Sequence, residues 1–321
     1  MGSHSSPGRE GRGHTWAKAI LLGEHAVVYG HPAVAVPLHD LRMNATATPI
    51  NGPSRLRCLD YEGPLTGSGA RFDCVAQAFE AAREFAGCPR QSFIITTRSD
   101  FPHERGLGSS AAAAGAIIRA VLDACRRPAC AEELFALTQR AEAVAHGRPS
   151  GLDAAATCAP GPLRFQAGEM RPVSQRIEGA HLVLADSGVH GSTRQAVTGL
   201  RERYEEQTEA VGPLIAELGA LARLAVTALE DGDAPRLGTA MDRAHEVLAA
   251  LGLSLPVLES LTGAARQAGA LGAKLTGGGL GGCVIALADG PQPAERIGSA
   301  LLHAGAAAVW THRMHTSEAG Q

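Results

Sequence analysis

The 321-residue chain has almost no lysine. Of its 29 lysine and arginine residues only Lys18 and Lys274 are lysines. A lysine kept against such a bias supplies what arginine does not, a compact point charge in place of a planar fork. Cys-x-x-Cys pairs are also missing. The seven cysteines (Cys58, Cys74, Cys88, Cys125, Cys130, Cys158 and Cys283) are scattered, which argues against a zinc site or a disulfide framework and for reduced thiols. The 13 histidines include no His-x-x-x-His spacing with an acidic partner, which removes the usual catalytic zinc arrangement. No uninterrupted apolar run approaches the ~20 residues that span a bilayer. A net charge of -3 offers no basic surface for nucleic acid or an anionic membrane. Residues 1–15, rich in Gly, Ser, His and Arg without an apolar segment, are expected to be a disordered extension, neither signal peptide nor strand. These absences fit a cytoplasmic protein with no nucleic-acid and no membrane partner.

What is present suggests two domains, expected at 16–185 and 186–321. Strands are predicted at Ala19–Leu22, Val27–Tyr29, Ala33–Val36, Asn44–Thr48 and Phe93–Thr97, and helices at about 72–86, 110–124 and 131–145. The second half reads as helices over 192–251, 257–268 and 294–304 packed on a small antiparallel sheet, an α+β layer.

Three segments carry chemistry. Arg105-Gly106-Leu107-Gly108-Ser109-Ser110-Ala111 is a flexible turn feeding an alanine-rich helix. Free N–H groups at such a helix start make an anion site, and a serine hydroxyl there can bind Mg²⁺ or a phosphate oxygen. Lys18 and Lys274 each stand beside a glycine-rich turn, Gly23-Glu24-His25 and Gly277-Gly278-Gly279-Leu280-Gly281-Gly282. Glu142 is followed by the tight segment His146-Gly147-Arg148-Pro149-Ser150-Gly151-Leu152-Asp153. A carboxylate pair near an anion loop suits Mg-nucleotide chemistry: one holds the metal with a serine, the other accepts a proton from an attacking hydroxyl. The ordinary alternatives are a capped alanine helix, a solvated Glu142 and an Asp153 that merely caps a helix.

In this order the segments resemble the three signature motifs of the GHMP small-molecule kinases, and within them the mevalonate kinases most closely. Lys18–Gly30 is similar nearly residue for residue to the first motif of that family, and Glu142 through Asp153 to its Glu…His-Gly-x-Pro-Ser-Gly-x-Asp segment. Gly191-Ser192-Thr193-Arg194 and Met241-Asp242-Arg243-Ala244-His245 resemble two further stretches, with Gly191 and Asp242 standing where the family more often has a basic residue and Asn. A Walker-type phosphate loop is absent.

The resemblance implies an α+β two-domain GHMP kinase fold, with an N-terminal α/β ATP-loop domain and a C-terminal ferredoxin-like α+β domain. It implies ATP and Mg²⁺, and phosphorylation of the primary hydroxyl of (R)-mevalonate. Residue by residue, Gly106, Leu107, Gly108, Ser109, Ser110 and Ala111 would cradle ATP, and Ser110 with Glu142 would hold Mg²⁺. Asp153 and Lys18 would be catalytic. Lys18, Glu24, His25, Ser150, Asp153 and Thr193 would contact substrate. A homodimer is compatible with this reading. A sister kinase acting on phosphomevalonate or another small alcohol, and a catalytically silent ligand sensor, stay open beside it.

Overall fold

The computed structural model describes residues 9–146 and 149–317. The chain forms two compact units, each assembled from separated stretches: residues 1–17, 39–103 and 108–158 in one, and 18–38, 104–107 and 159–321 in the other. The single division expected at 185 falls within the second of these units. Strand pairing is non-local, and the strand that ends near 185 finds its partners beyond residue 282.

In the first unit, strand β2 (Ala33–Ile50) pairs antiparallel with β5 (Ser92–Ser99) from Met43↔Ser99 to Ile50↔Ser92. Strand β3 (Arg55–Cys58) lies parallel to β5 and forms a hairpin with β4 (Tyr61–Pro64). Helices α1 (Asp73–Phe85), α2 (Ser109–Ala124) and α3 (Ala131–His146) pack on one another, and the short α4 (Leu152–Ala156) packs on α2 and α3. Helix α2 buries a run of alanines, with Ala112, Ala114, Ala116 and Ala120 at 0% exposure. Such small side chains admit a very close neighbour, and that neighbour is strand β1 (Gly11–Leu22). A Cβ on Gly11 would lie 2.1 Å from the Ala120 carbonyl oxygen, and one on Gly13 2.2 Å from that of Ala116. Thr15 Oγ1 donates to Ala112 O at 2.6 Å. The expected disordered extension over 1–15 is thus corrected for residues 11–15; residues 1–8 lie outside the described residues. A strand whose inward positions are glycines has no hydropathy signal.

The Val27–Tyr29 strand is likewise corrected, to a 3-10 turn over Ala26–Tyr29. Gly23, His25 and Gly30, at φ 97°, 61° and 83°, bracket it with left-handed backbone that no strand can carry, overriding the β-branched propensity of the two valines.

In the second unit, β2 pairs with β6 (Leu163–Gln166), which forms a hairpin with β7 (Glu169–Pro172). Four further strands, β8 (His181–Asp186), β9 (Gly272–Thr276), β10 (Cys283–Ala288) and β11 (Ala308–Arg313), make an antiparallel sheet in the order β11-β8-β10-β9. Helices α5 (Thr193–Glu206), α6 (Thr208–Asp231), α7 (Ala234–Ala250) and α8 (Pro256–Gln267) connect β8 to β9, and α9 (Pro291–His303) connects β10 to β11. Counted along the chain the strand order is 4-1-3-2, the ferredoxin-like arrangement. Helix α6, at 24 residues with a hydropathy of 1.4, is the one described helix long and apolar enough to cross a membrane, although no uninterrupted run suggested it. It is amphipathic here: Val211, Ile215, Leu218, Ala222 and Leu229 are buried, it packs on α7, and Glu217 pairs with Arg243 of α7 at 2.6 Å.

Candidate active site

Within the first unit, Gly108 at φ 73° precedes α2, so the chain turns sharply and Ser109 and Ser110 begin the helix. Ser110 Oγ donates to Glu142 Oε1 at 2.6 Å. Glu142 reaches it from α3 with only 3% of its surface exposed, which rules out a solvated helix residue. Cys74 Sγ donates to the same Oε1 at 3.3 Å. Burial and the neighbouring carboxylate push the Cys74 thiol well above its ordinary range, so it stays a protonated donor. A hydroxyl beside a carboxylate is a hard-oxygen pair of the kind Mg²⁺ takes, since that ion draws its remaining ligands from water and phosphate. Among the described residues no cluster of three or more His, Cys, Asp or Glu forms a metal cage.

Asp153 sits in the first turn of α4, but the N-cap is Gly151, at φ 96°. Asp153 contributes its backbone carbonyl to Thr157 Oγ1 at 2.9 Å, so its carboxylate is not the cap. Ser150 Oγ accepts from Leu152 N at 3.3 Å, an ST-type turn that keeps the hydroxyl proton available to donate. Gly147 and Arg148 of this segment, and the side chain of His146, lie outside the described residues.

Within the second unit, Lys18 is 2% exposed and its ammonium donates to Gly106 O at 3.0 Å. Its backbone N–H donates to Leu107 O at 3.0 Å. The first half of the phosphate-loop candidate is therefore bound to β1 at two successive carbonyls. The glycine turn after β9 backs the same stretch: a Cβ on Gly106 would stand 2.8 Å from Thr276 O, and one on Gly277 2.8 Å from Gly106 Cα. Only glycine permits this backbone-on-backbone contact.

Strand β9 and the turn after it gather three other expected residues. His25 Nε2–H donates to Gly278 O at 2.8 Å, and burial holds the imidazole below its ordinary pKa, in the neutral form. Thr193, the first residue of α5, has its Cα 2.9 Å from where a Gly278 Cβ would be. Glu24 is 1% exposed and forms an ion pair with Lys274, itself 0% exposed. The Lys274 ammonium also donates to Leu275 O at 2.6 Å. Burial pushes the Glu24 carboxyl up and the Lys274 ammonium down, each opposed by the other's charge. Lys274 thus serves Glu24, and Glu24 Oε2 has no hydrogen-bond partner among the described residues.

Asp242 and His245, from a stretch picked out only by its family resemblance, are supporting residues. Asp242 accepts from Ala273 N at 2.8 Å and from Arg266 Nε at 2.6 Å, while His245 Nδ1 accepts from Leu275 N at 3.3 Å. Both hold β9, the strand that carries Lys274. Gly191 is explained by space: a Cβ there would lie 3.2 Å from Gly279 O.

Residues 73–161 match the family described as GHMP kinases N terminal domain, and residues 225–307 that described as GHMP kinases C terminal. The mevalonate kinase of Thermococcus sibiricus is 35% identical over 318 residues, covering 92% of this chain and 93% of that one. The mevalonate kinase of Aeropyrum pernix is 35% identical, with 87% and 89% covered. A crystal structure of L. major mevalonate kinase in complex with R-mevalonate shares the fold, with a TM-score of 0.84 at 24% identity over 98% of this chain and 99% of that one. With these relatives matched over nearly their whole length, the chain belongs to the mevalonate kinase family of GHMP kinases.

Proposed function

We propose that this chain transfers the γ-phosphoryl group of MgATP to the primary hydroxyl of (R)-mevalonate, giving 5-phosphomevalonate and ADP. The observation that carries the reading is the part-buried Ser110–Glu142 hydrogen bond at the start of α2, directly after the glycine loop, in a chain of this family. The N–H groups of Gly106 through Ala111 bind the nucleotide phosphates, helped by the positive end of α2. Ser110 and Glu142 hold Mg²⁺, which when bound screens the phosphate charge and orients the γ-phosphoryl group. Asp153 accepts the proton of the primary hydroxyl as the new P–O bond forms. The Lys18 ammonium stabilises the developing alkoxide and the charge on the transferring group. His25, Ser150, Thr193 and the second oxygen of Glu24 contact the acceptor.

A coupled ADP-release assay across mevalonate, phosphomevalonate, homoserine and galactose tests this. The highest kcat/KM is expected with mevalonate, and a higher value with phosphomevalonate would overturn the assignment.

A further inference from the structure

We infer that Arg105 is a positioning residue for the phosphate loop, acting through its ion pair with Asp186; the inference rests on the phosphotransferase reading above. Arg105 is the residue before Gly106. Its Nε lies 2.9 Å from Asp186 Oδ1, with the two side chains 12% and 7% exposed, and 3.0 Å from Oδ2. The pair is thus largely shielded from solvent and salt.

The carboxylate is fixed independently of the arginine, because Asp186 Oδ1 also accepts from Gly188 N at 2.9 Å. Asp186 ends β8, and its backbone is flanked on both sides, by Cys283 of β10 and Ala308 of β11. The arginine is therefore tied to one of the most firmly held points of the ferredoxin-like sheet. Its own backbone has little room to move, since a Cβ on Gly282 would stand 2.9 Å from Arg105 O. The next two residues are held by Lys18, through Gly106 O and Leu107 O. Residues 105–107 are thus fixed at three successive positions, and the amides of 108–111 continue directly from them. Amides held in place before the nucleotide arrives do not have to be ordered when it binds. Without the ion pair the loop keeps its sequence and its two contacts with Lys18 but loses its hold at the first of the three positions.

A different role is available to the same side chain. Arg105 Nη1 is buried without a hydrogen-bond partner among the described residues, and a direct contact from it to a phosphate would make Arg105 act through its own charge. The two roles separate on Asp186. A clamp needs both partners equally, whereas a phosphate contact would survive loss of the carboxylate.

The experiment compares Arg105→Gln, Asp186→Asn, the double variant and Arg105→Lys with the wild type. Two quantities are read: the Kd for MgATP by displacement of a fluorescent analogue, and amide hydrogen exchange of the segment covering residues 104–111. Each single neutralisation is expected to weaken MgATP about tenfold, with the double variant no worse than the weaker single. Exchange of the loop amides should quicken in step, while the KM for the acceptor alcohol stays unchanged. Arg105→Lys, which keeps the charge and loses the fork, should fall between. Wild-type MgATP affinity and loop exchange in a folded Asp186→Asn protein would overturn the clamp. A large loss confined to the Arg105 variants would overturn it in favour of a direct phosphate contact. A wild type that binds no MgATP would instead sink the phosphotransferase reading, and the exchange measurement would still decide whether the ion pair holds the loop.

Discussion

The Ser110 hydroxyl and one carboxylate oxygen of Glu142 stand 2.6 Å apart, donor to acceptor, where α2 meets α3 in the first unit. In the proposed mechanism two oxygens so placed would serve one ion. Ser110→Ala and Glu142→Gln should each lower kcat/KM strongly and raise the Mg²⁺ concentration needed for half-maximal rate. The double variant should lose much less than the sum of the two effects. Fully additive losses, measured by steady-state kinetics across a Mg²⁺ titration, would assign the two residues separate roles.

Asp153→Asn separates chemistry from stability. General acid–base assistance is typically worth ~10²–10⁴-fold, so kcat should fall at least about 100-fold with MgATP binding nearly intact. The melting temperature should hardly move, because Gly151 rather than Asp153 caps α4. A near-normal kcat in the folded variant removes Asp153 from the mechanism.

For Lys18, shape matters as well as charge. Lys18 is 2% exposed and its ammonium donates to Gly106 O, a contact made by a compact point charge that a planar guanidinium does not reproduce. Lys18→Met should reduce kcat severely and Lys18→Arg should not restore it. Recovery of wild-type turnover by the arginine variant would show that a diffuse positive charge suffices.

Acid should destabilise the fold through two buried imidazoles. Burial holds His25 and His245 below their ordinary 6.5, against the opposing pull of Glu259 on His245. The native state therefore binds fewer protons than the unfolded chain as pH drops under that value. The stability these groups contribute is complete above pH 6.5 and is lost progressively as the pH falls below it. Denaturant melts at pH 7.5 and 5.5 should show the decline, and His245→Gln should flatten it. An unchanged slope in that variant would locate the acid sensitivity elsewhere.

Gly13→Val tests the packing of β1 on α2. With the Ala116 carbonyl 2.2 Å from where its Cβ would lie, even a small side chain forces the strand off the helix. Overpacking of this kind costs about 1–3 kcal/mol or more, readable as a lower urea midpoint. An unaltered midpoint would contradict the close approach.

The glycine turn into α2 and the segments around Lys18 and Glu142 could be picked out in the sequence because each is a contiguous run. A glycine turn entering a helix presents free amides wherever it occurs. Partnerships were not legible. Glu24 and Lys274 are 250 positions apart, Arg105 and Asp186 are 81 apart, and Cys74 and Glu142 are 68 apart; no local spacing encodes such meetings. The start of β1 escaped for the opposite reason. Gly11 and Gly13 are inward residues of a buried strand, but a side chain of one hydrogen has no hydropathy to reveal it. Val27 and Val28 misled because turn geometry set by Gly23, His25 and Gly30 outweighs intrinsic strand preference.

The Glu24–Lys274 pair also orders events during synthesis. Glu24 leaves the ribosome early, while the ammonium that neutralises it follows 250 residues later, on the order of ten seconds or more at ~5–20 residues per second. Until then its carboxylate has to stay in water, because burying it alone is too costly. The Lys18–Leu38 stretch therefore cannot settle into its final packing when it emerges. It waits, solvated, for β9, and the nascent chain completes the packing of this stretch only after β9 has been made.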